Sequence, residues 1–149
     1  MKKQLTVLVS GSRQLPETAE NLQRLEAALD EIYCQLAIEN EQHDYPTHLA
    51  HGGAAGADQL AKRLTKKLGL EEIELKPDYR QHHPKTAPLH RNGELVKLAD
   101  VTIAWYASGQ VGKGGTADTA RKTTAAGKPL LELLPDGTTR WTPAARTLL

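Results

Sequence analysis

Three glycine-bearing segments of this chain each follow a short apolar run and precede a helical pattern. They begin at Gly11, His51 and Gly112. Apolar runs that alternate with amphipathic helices predict parallel strands, because two parallel strands need a crossover connection, usually a helix. Because the turns that leave parallel strands meet at one edge of the sheet, we expect all three glycine segments to lie at the carboxyl ends of the strands.

The spacing of apolar residues predicts the individual elements. Spacings of three and four predict helices, and alternating or continuous apolar runs predict strands. The predicted helices are Leu22–Leu36, Ala57–Leu68, Leu89–Ala99 and Thr119–Ala126, and the predicted strands are 5–9, 47–50, 73–75, 101–105 and 130–134. Pro16 is expected in the first turn of the first helix, Asn40–Pro46 as a loop, and 138–141 as a short antiparallel strand. The fold class is therefore α/β, a three-layer αβα sandwich with a mostly parallel sheet of about five strands.

Composition limits the class of protein. The 149 residues carry a net charge of +1 and are 39% hydrophobic, which predicts one domain over residues 1–149. Near-neutral charge argues against a surface that saturates nucleic-acid phosphates. The chain begins with no apolar run long enough for a signal sequence or a membrane span, so we expect no membrane partner and a cytoplasmic location. Cys34 excludes an internal disulfide as the only cysteine, and it is expected to be buried.

The second glycine segment gives the strongest indication of a ligand site. Adjacent Gly52 and Gly53 permit a tight turn that brings the main chain close to a ligand, and Gly56 keeps the start of the helix open. The alternative is a strand-to-helix turn without a ligand. Asp58 would be repelled by a phosphate, so it either caps its helix or accepts hydrogen bonds from ribose hydroxyls.

The third glycine segment repeats this arrangement. Gly114 and Gly115 precede Thr116, whose hydroxyl either caps the helix or contacts a phosphate oxygen, while Lys113 adds a cation. The segment lacks the G-K-[ST] ending of a P-loop, and the first glycine segment does not continue as G-x-G-x-x-G. No cofactor is therefore expected.

Basic side chains flank the glycine segments. Gly11, Ser12 and Arg13 follow the first strand directly, so the Arg13 guanidinium should reach the ligand edge, unless it forms a surface ion pair. Arg91 and Asn92 are predicted to open a helix with Glu94 in its first turn. An arginine at a helix start opposes the helix dipole, which indicates a compensating anion.

Aromatic and histidine side chains near these segments have two interpretations each. Trp105 and Tyr106 end a strand, where they either stack on a base or pack in the core. His82, His83 and His90 lie without acidic partners at ligand spacing, so no metal site is expected. The apolar stripe Leu22–Leu36 serves either the core or a dimer interface.

The ordered set of motifs resembles the YspA/cpYpsA-related SLOG family of small bacterial and phage proteins. The set comprises Gly11-Ser12-Arg13, His51-Gly52-Gly53 with Gly56-Ala57-Asp58, Arg91-Asn92 with Glu94, and Gly115-Thr116-Ala117-Asp118-Thr119. The resemblance spans about residues 5–133. It implies the Rossmann-like fold of the wider SLOG superfamily, which includes the LOG phosphoribohydrolases and the DprA proteins.

The resemblance also implies a site. Gly52, Gly53, Gly56 and Asp58 match the first ligand loop, Gly115, Thr116 and Asp118 match the second, and Arg91, Asn92 and Glu94 match the helix between. In the LOG hydrolases, the second loop reads P-G-G-x-G-T-x-x-E and its glutamate serves glycosidic cleavage. Here the position three residues after Thr116 is Thr119, so the catalytic glutamate is not matched.

Three functions follow from these patterns. The first is binding of a nucleotide or a phosphoribosyl or ADP-ribose-like ligand, as in a sensor. The second is hydrolysis of the N-glycosidic bond of a nucleoside monophosphate, with Asp118 or Glu94 as acid/base and Arg91 or Arg13 holding the phosphate. The third is DprA-like binding of single-stranded DNA, which the near-neutral charge makes the weakest.

Overall fold

The computed structural model describes residues 4–40 and 44–145, over which strands and helices alternate up to a final pair of strands. The elements are β1 (Thr6–Gly11), α1 (Ala19–Asn40), β2 (His48–His51), α2 (Ala57–Leu68), β3 (Glu71–Glu74), α3 (Ala87–Leu98), β4 (Val101–Trp105), α4 (Gly114–Ala125), β5 (Leu130–Leu133) and β6 (Thr139–Thr142). Every predicted helix and strand is present. The main differences lie in where α1, α3 and α4 begin and where α1 ends.

The six strands form one sheet in the order β3-β2-β1-β4-β5-β6. Strands β1 to β5 are parallel, and β6 pairs with β5 in the antiparallel direction. The chain starts in the middle of the sheet, winds outward to β3 and returns to place β4 beside β1. This reversal makes the carboxyl ends of β1 and β4 a topological switch point, where ligands bind in sheets of this type. The predicted Rossmann-like fold is confirmed, and the antiparallel edge strand with it.

Helices cover both faces of the sheet because β1 and β4 are apolar on both sides. On one face, Val7 and Val9 pack with α1 and α2. On the other face, Leu8 packs with α3, and Ala104 packs with α4. Burial of such side chains is the main favourable contribution to folding. The core therefore has two layers, one on each side of the sheet.

The apolar stripe of α1 serves the core. Leu25, Leu29 and Ile32 are fully buried against the sheet. Cys34, in contrast, is exposed, so the prediction of a buried cysteine is wrong. At about 100° per residue, Cys34 lies roughly 200° around the helix from Ile32, which turns it away from the core.

The ends of α1 differ from the predicted ones. Thr18 accepts a hydrogen bond from the amide of Asn21 at 3.1 Å and caps the helix, so Pro16 lies before its first turn. At the other end, Asn40 is still helical. The predicted loop Asn40–Pro46 therefore starts later, and its residues 41–43 lie outside the described residues.

None of the helices among the described residues combines the length and the apolar character that crossing a membrane requires.

Candidate functional site

A cavity of about 440 Å³ lies at the carboxyl ends of β1 and β4, at the switch point of the sheet. Its volume falls in the range of small-molecule sites, about 300–1,000 Å³. Its floor includes Leu8 and Leu95, and Tyr106 lines it beyond the end of β4. Gly11 lies opposite Trp105 in the sheet, and the turn after Gly11 forms one rim. All three glycine segments contribute to this single cavity.

Most of the ligand-binding residues predicted from the sequence line this cavity. They are Gly11, Ser12, Arg13, Gly52, Asp58, Arg91, Asn92, Gly114, Gly115 and Thr116. The main chain brings them together because the turns after β1, β2 and β4 leave the same edge of the sheet. The convergence expected from the three glycine segments is therefore present in the structure.

The other predicted residues lie elsewhere. Gly53 lines a neighbouring cavity, and Gly56 packs beneath the turn after β1. Glu94 is exposed on α3 and does not line the cavity. Asp118 accepts hydrogen bonds from Lys122 at 2.8 Å and from Asn92 at 3.2 Å. The two carboxylates predicted as acid/base therefore lie outside the cavity wall.

The second glycine segment uses its amides within the protein. The amides of Gly52 and Ala54 both donate to Asp58 Oδ2 at 3.1 Å, and Asp58 is buried. Asp58 therefore stabilises the turn of the loop that precedes α2. It does not cap α2 by accepting from an amide of that helix. The sequence did not indicate this because the bond runs backward from the helix into the loop. This segment forms a wall of the cavity, and the amides of Gly52 and Ala54 in that wall already have an acceptor.

Buried His51 holds the next amide of the same loop. Its Nδ1 accepts from the amide of Gly53 at 3.0 Å, so its Nε2 carries the proton and donates to Glu72 at 2.6 Å. Glu74 lies 3.9 Å from the same Nε2. His51, Glu72 and Glu74 form the group with metal-ligand spacing found among the described residues. Nε2 carries a proton that it donates to Glu72, and Lys62 lies near Glu74. The cluster therefore supports the loop through hydrogen bonds and charge pairing.

Asp58 gives the loop a pH dependence of defined sign. Burial raises its pKa, although the amides of Ala54 and Gly52 and the charge of Arg91 oppose the shift. Because the folded pKa exceeds the unfolded one, the folded chain holds this proton to higher pH. The stability contributed by protonated Asp58 is therefore lost as pH rises through its folded pKa.

We therefore expect Asp58→Asn to gain stability relative to the original chain as pH rises from about 4 to about 7. The asparagine Oδ1 can accept hydrogen bonds from both loop amides. The asparagine side chain carries no charge, so its burial has no cost that depends on pH. Urea unfolding of both proteins at several pH values measures the difference in free energy of unfolding. A difference that moves in the opposite direction would mean that the Arg91 charge and the amides outweigh burial.

Arg91 ties three segments of the site together. Its Nη1 donates to the carbonyl oxygens of Gly52 at 3.0 Å and Leu75 at 3.3 Å, and its Nε donates to Asn92 Oδ1 at 3.0 Å. Helix α3 begins at Ala87, so the prediction that Arg91 and Asn92 open it is wrong. Because Arg91 lies beyond the first turn of α3, the helix dipole gives no reason to expect a compensating anion beside it. The apolar pattern began at Leu89, and it could not show that Ala87 and Pro88 form the first turn.

The third glycine segment offers main-chain donors to the cavity. Helix α4 begins at Gly114, with Lys113 as the N-cap residue and no side-chain hydrogen bond at the cap. Thr116 lies in the first turn, so its predicted place as N-cap is wrong. The amides of Gly114, Gly115 and Thr116 point out of the helix start, where an α-helix has no internal acceptors. These three residues line the cavity.

Arg13 adds a cation to the opposite rim. Its side chain is exposed and makes no hydrogen bond or ion pair with any other described residue. Lys113 lines the cavity as well, whereas Asp58 is the one carboxylate among the lining residues. The cavity therefore has more positive than negative side chains, which favours an anionic ligand.

Several residues that line the two cavities were not predicted from the sequence. Gln14 and Gln110 line the cavity from loops. A second cavity of about 470 Å³ adjoins it and reaches Lys76 and Tyr79. The loop after β3 carries no regular pattern that would indicate its course. Nothing in the sequence therefore pointed to these residues.

The two aromatic residues at the end of β4 have different environments in the structure. Trp105 is fully buried, with the Arg24 guanidinium 5.6 Å from its ring centroid, so it packs in the core. Tyr106 is also buried, but it lines the cavity. The stacking interpretation therefore fails for Trp105.

Known proteins resemble this chain in sequence and in fold. The model of the YspA, cpYpsA-related SLOG family matches residues 5–82. The Gene 61 protein of Mycobacterium phage D29 is 31% identical over 130 residues, which cover 84% of this chain and 93% of that protein. The X-ray structure of DNA processing protein A (DprA) from Streptococcus pneumoniae matches with a TM-score of 0.57 and 16% identity.

The match to DprA covers 87% of this chain and 50% of that chain, so this chain spans about half the length of DprA. At this identity the likeness concerns the fold alone. The family match and the phage relative, in contrast, rest on sequence and cover half of the chain or more. They confirm the resemblance to this family, with the family model covering the first two glycine segments and ending at residue 82. The chain belongs to the YspA, cpYpsA-related SLOG family.

Proposed function

We propose that this chain binds a nucleotide, or a related phosphorylated ribose, in the cavity at the strand ends. The observation that carries the proposal is the free start of α4. There the amides of Gly114, Gly115 and Thr116 border the cavity without a side-chain cap. A helix start of this kind favours a phosphate through its amides and its dipole.

The charges around the cavity support the same proposal. Arg13 and Lys113 are exposed cations on its rim, and a guanidinium can bind a phosphate through two hydrogen bonds. Asp58 is turned toward its own loop amides, so it adds little repulsion at the phosphate position. Apolar Leu8 and Leu95 and the ring of Tyr106 leave space for a base or a sugar.

The proposal predicts stabilisation by mononucleotides. A ligand at 100 times its Kd adds about 2.7 kcal/mol to the free energy of unfolding, which raises the Tm by about 5–10 °C for a chain of this size. We expect at least one of AMP, GMP, CMP, UMP and ADP-ribose to give this shift in thermal unfolding. We expect Arg13→Ala to weaken that binding about tenfold or more, since it removes a charge-assisted contact.

The matched control removes a cation elsewhere. Lys66 is exposed in the last turn of α2, at the opposite edge of the sheet from the cavity. Lys66→Ala changes the net charge as Arg13→Ala does, and it should leave the Kd within about twofold. If no ligand of the panel stabilises the protein at millimolar concentration, the proposal is wrong. Equal losses of affinity in the two variants would mean that Arg13 acts only through the net charge of the protein.

Hydrolysis of a nucleoside monophosphate has less support from the geometry. Asp118 is bound by Lys122 and Asn92, and Glu94 is exposed away from the cavity. A general acid must come within hydrogen-bond reach of the bond that it cleaves. Chromatography for free base after incubation with each nucleotide tests this alternative. Release that disappears in Asp118→Asn, with folding intact, would favour the hydrolase.

Binding of single-stranded DNA is the remaining alternative, because the fold matches a DNA processing protein. Such binding needs a basic groove with stacking aromatics and depends strongly on salt. The net charge of +1 does not supply a basic surface on the scale of the whole chain. A gel shift with an oligonucleotide at two salt concentrations distinguishes this function from binding of a small ligand.

A further inference from the structure

The cavity described above adjoins the second cavity along one wall. The second cavity has a volume of about 470 Å³ and lies on the other side of the loop after β2. The residues that line both are Arg13, Gly52, Ala54 and Arg91. A ligand longer than a mononucleotide could therefore pass from one cavity into the other along this shared wall.

The shared wall has two cations and little negative charge. Arg91 uses its donors on Gly52, Leu75 and Asn92, whereas Arg13 has no partner among the described residues. Burial lowers the pKa of Arg91, and although Asp58 opposes this shift, the nearby charge of Arg13 adds to it. Like charges repel each other, and an anion that lies near both offsets the repulsion. An anionic group at the shared wall would relieve this repulsion.

The far end of the second cavity has an exposed aromatic ring. Tyr79 is 58% exposed and borders the cavity beside Pro77 and Lys76. Lys76 Nζ lies 3.7 Å from a carboxylate oxygen of half-buried Glu74, and the Lys76 side chain itself remains largely in solvent. An exposed ring beside cations is the usual platform on which a nucleobase stacks. The second cavity thus offers a base position separate from the one lined by Tyr106.

We propose that the second cavity is a subsite for the second half of a dinucleotide. One nucleoside occupies the first cavity, the phosphate bridge runs from the amides at the start of α4 to Arg13 at the shared wall, and the second base stacks on Tyr79. The inference rests on the proposed function, because the first half of the ligand binds in the first cavity. The class of ligand is two nucleosides joined by a phosphate bridge.

The test compares ligands of nearly equal charge. AMP carries almost two negative charges near neutral pH, as does diadenosine diphosphate, so a difference in their affinity does not come from net charge. GMP and diguanosine diphosphate form a second pair. Calorimetric titration of the full chain should show the dinucleotide of at least one pair binding about tenfold more tightly, as expected for one stacked base.

Variants of Tyr79 assign that gain to the second cavity. Tyr79→Ala should reduce the dinucleotide preference to about twofold or less and leave the mononucleotide Kd unchanged, while Tyr79→Phe should retain the preference. Equal binding of the two members of each pair would overturn the second subsite and leave the proposed function intact. A preference that survives Tyr79→Ala would also overturn it. If neither member of either pair binds, the second subsite is overturned, and the proposed function fails too only if CMP, UMP and ADP-ribose also give no stabilisation.

Discussion

Replacing Gly56 by alanine is expected to lower the free energy of unfolding by about 2–6 kcal/mol. Gly56 has φ 75° and ψ −121°, a conformation that is nearly restricted to glycine and costs other residues about 1–3 kcal/mol. An added Cβ would also overlap the carbonyl oxygen of Ser12 and lie 3.0 Å from the carbonyl carbon of Arg13. Forcing a methyl group into packed backbone costs about another 1–3 kcal/mol.

The effect should reach the ligand site, because Gly56 supports the turn that carries Ser12 and Arg13. Thermal unfolding should show a fall in Tm of about 4–24 °C, and nucleotide binding should weaken in the fraction that remains folded. Gly69→Ala is the matched control. Gly69 has a similar φ of 68° with no atom near its Cβ position, so it should cost only about 1 kcal/mol. Similar losses in both variants would show that close packing at Gly56 contributes little.

Replacing Arg91 by alanine is expected to cost about 2–4 kcal/mol. The change removes donors from the carbonyl oxygens of Gly52 and Leu75, and it takes the neighbouring cation from buried Asp58. Hydrogen bonds to charged groups contribute about 1.5–3 kcal/mol, and an unpaired buried charge adds to the loss. Because Arg91 is only half-buried, water replaces part of what is lost. Urea unfolding measures the change.

A double-mutant cycle separates the two parts of this loss. In the Asp58→Asn background, no buried carboxylate is left without its cation, so Arg91→Ala should cost about 1 kcal/mol less. Arg91→Lys keeps the charge but not the planar fork, and it should recover part of the stability of the original chain. Strict additivity of the two substitutions would mean that Arg91 and Asp58 do not interact.

The sequence predicted the glycine segments correctly as corners of one cavity because strand direction alone places them there. It could not predict how the corners use their amides. The amide of Gly52 donates to Asp58, and the amide of Gly53 donates to His51. These hydrogen bonds cross the loop and follow no repeating pattern in the sequence. The start of α4 has no such internal acceptor at its cap, although its glycines look much the same in the sequence.

The regular order of apolar runs by itself determined the fold class, the parallel sheet and the edge of the sheet at which the glycine segments meet. Those features depend on periodicity and on the direction of the chain, which are local properties. Only the tertiary structure decided that Arg91 binds carbonyl oxygens, that Asn92 of α3 donates to Asp118 of α4, and that Tyr79 borders a second cavity. Such contacts join residues on different elements, and no spacing along the chain encodes the distance between them.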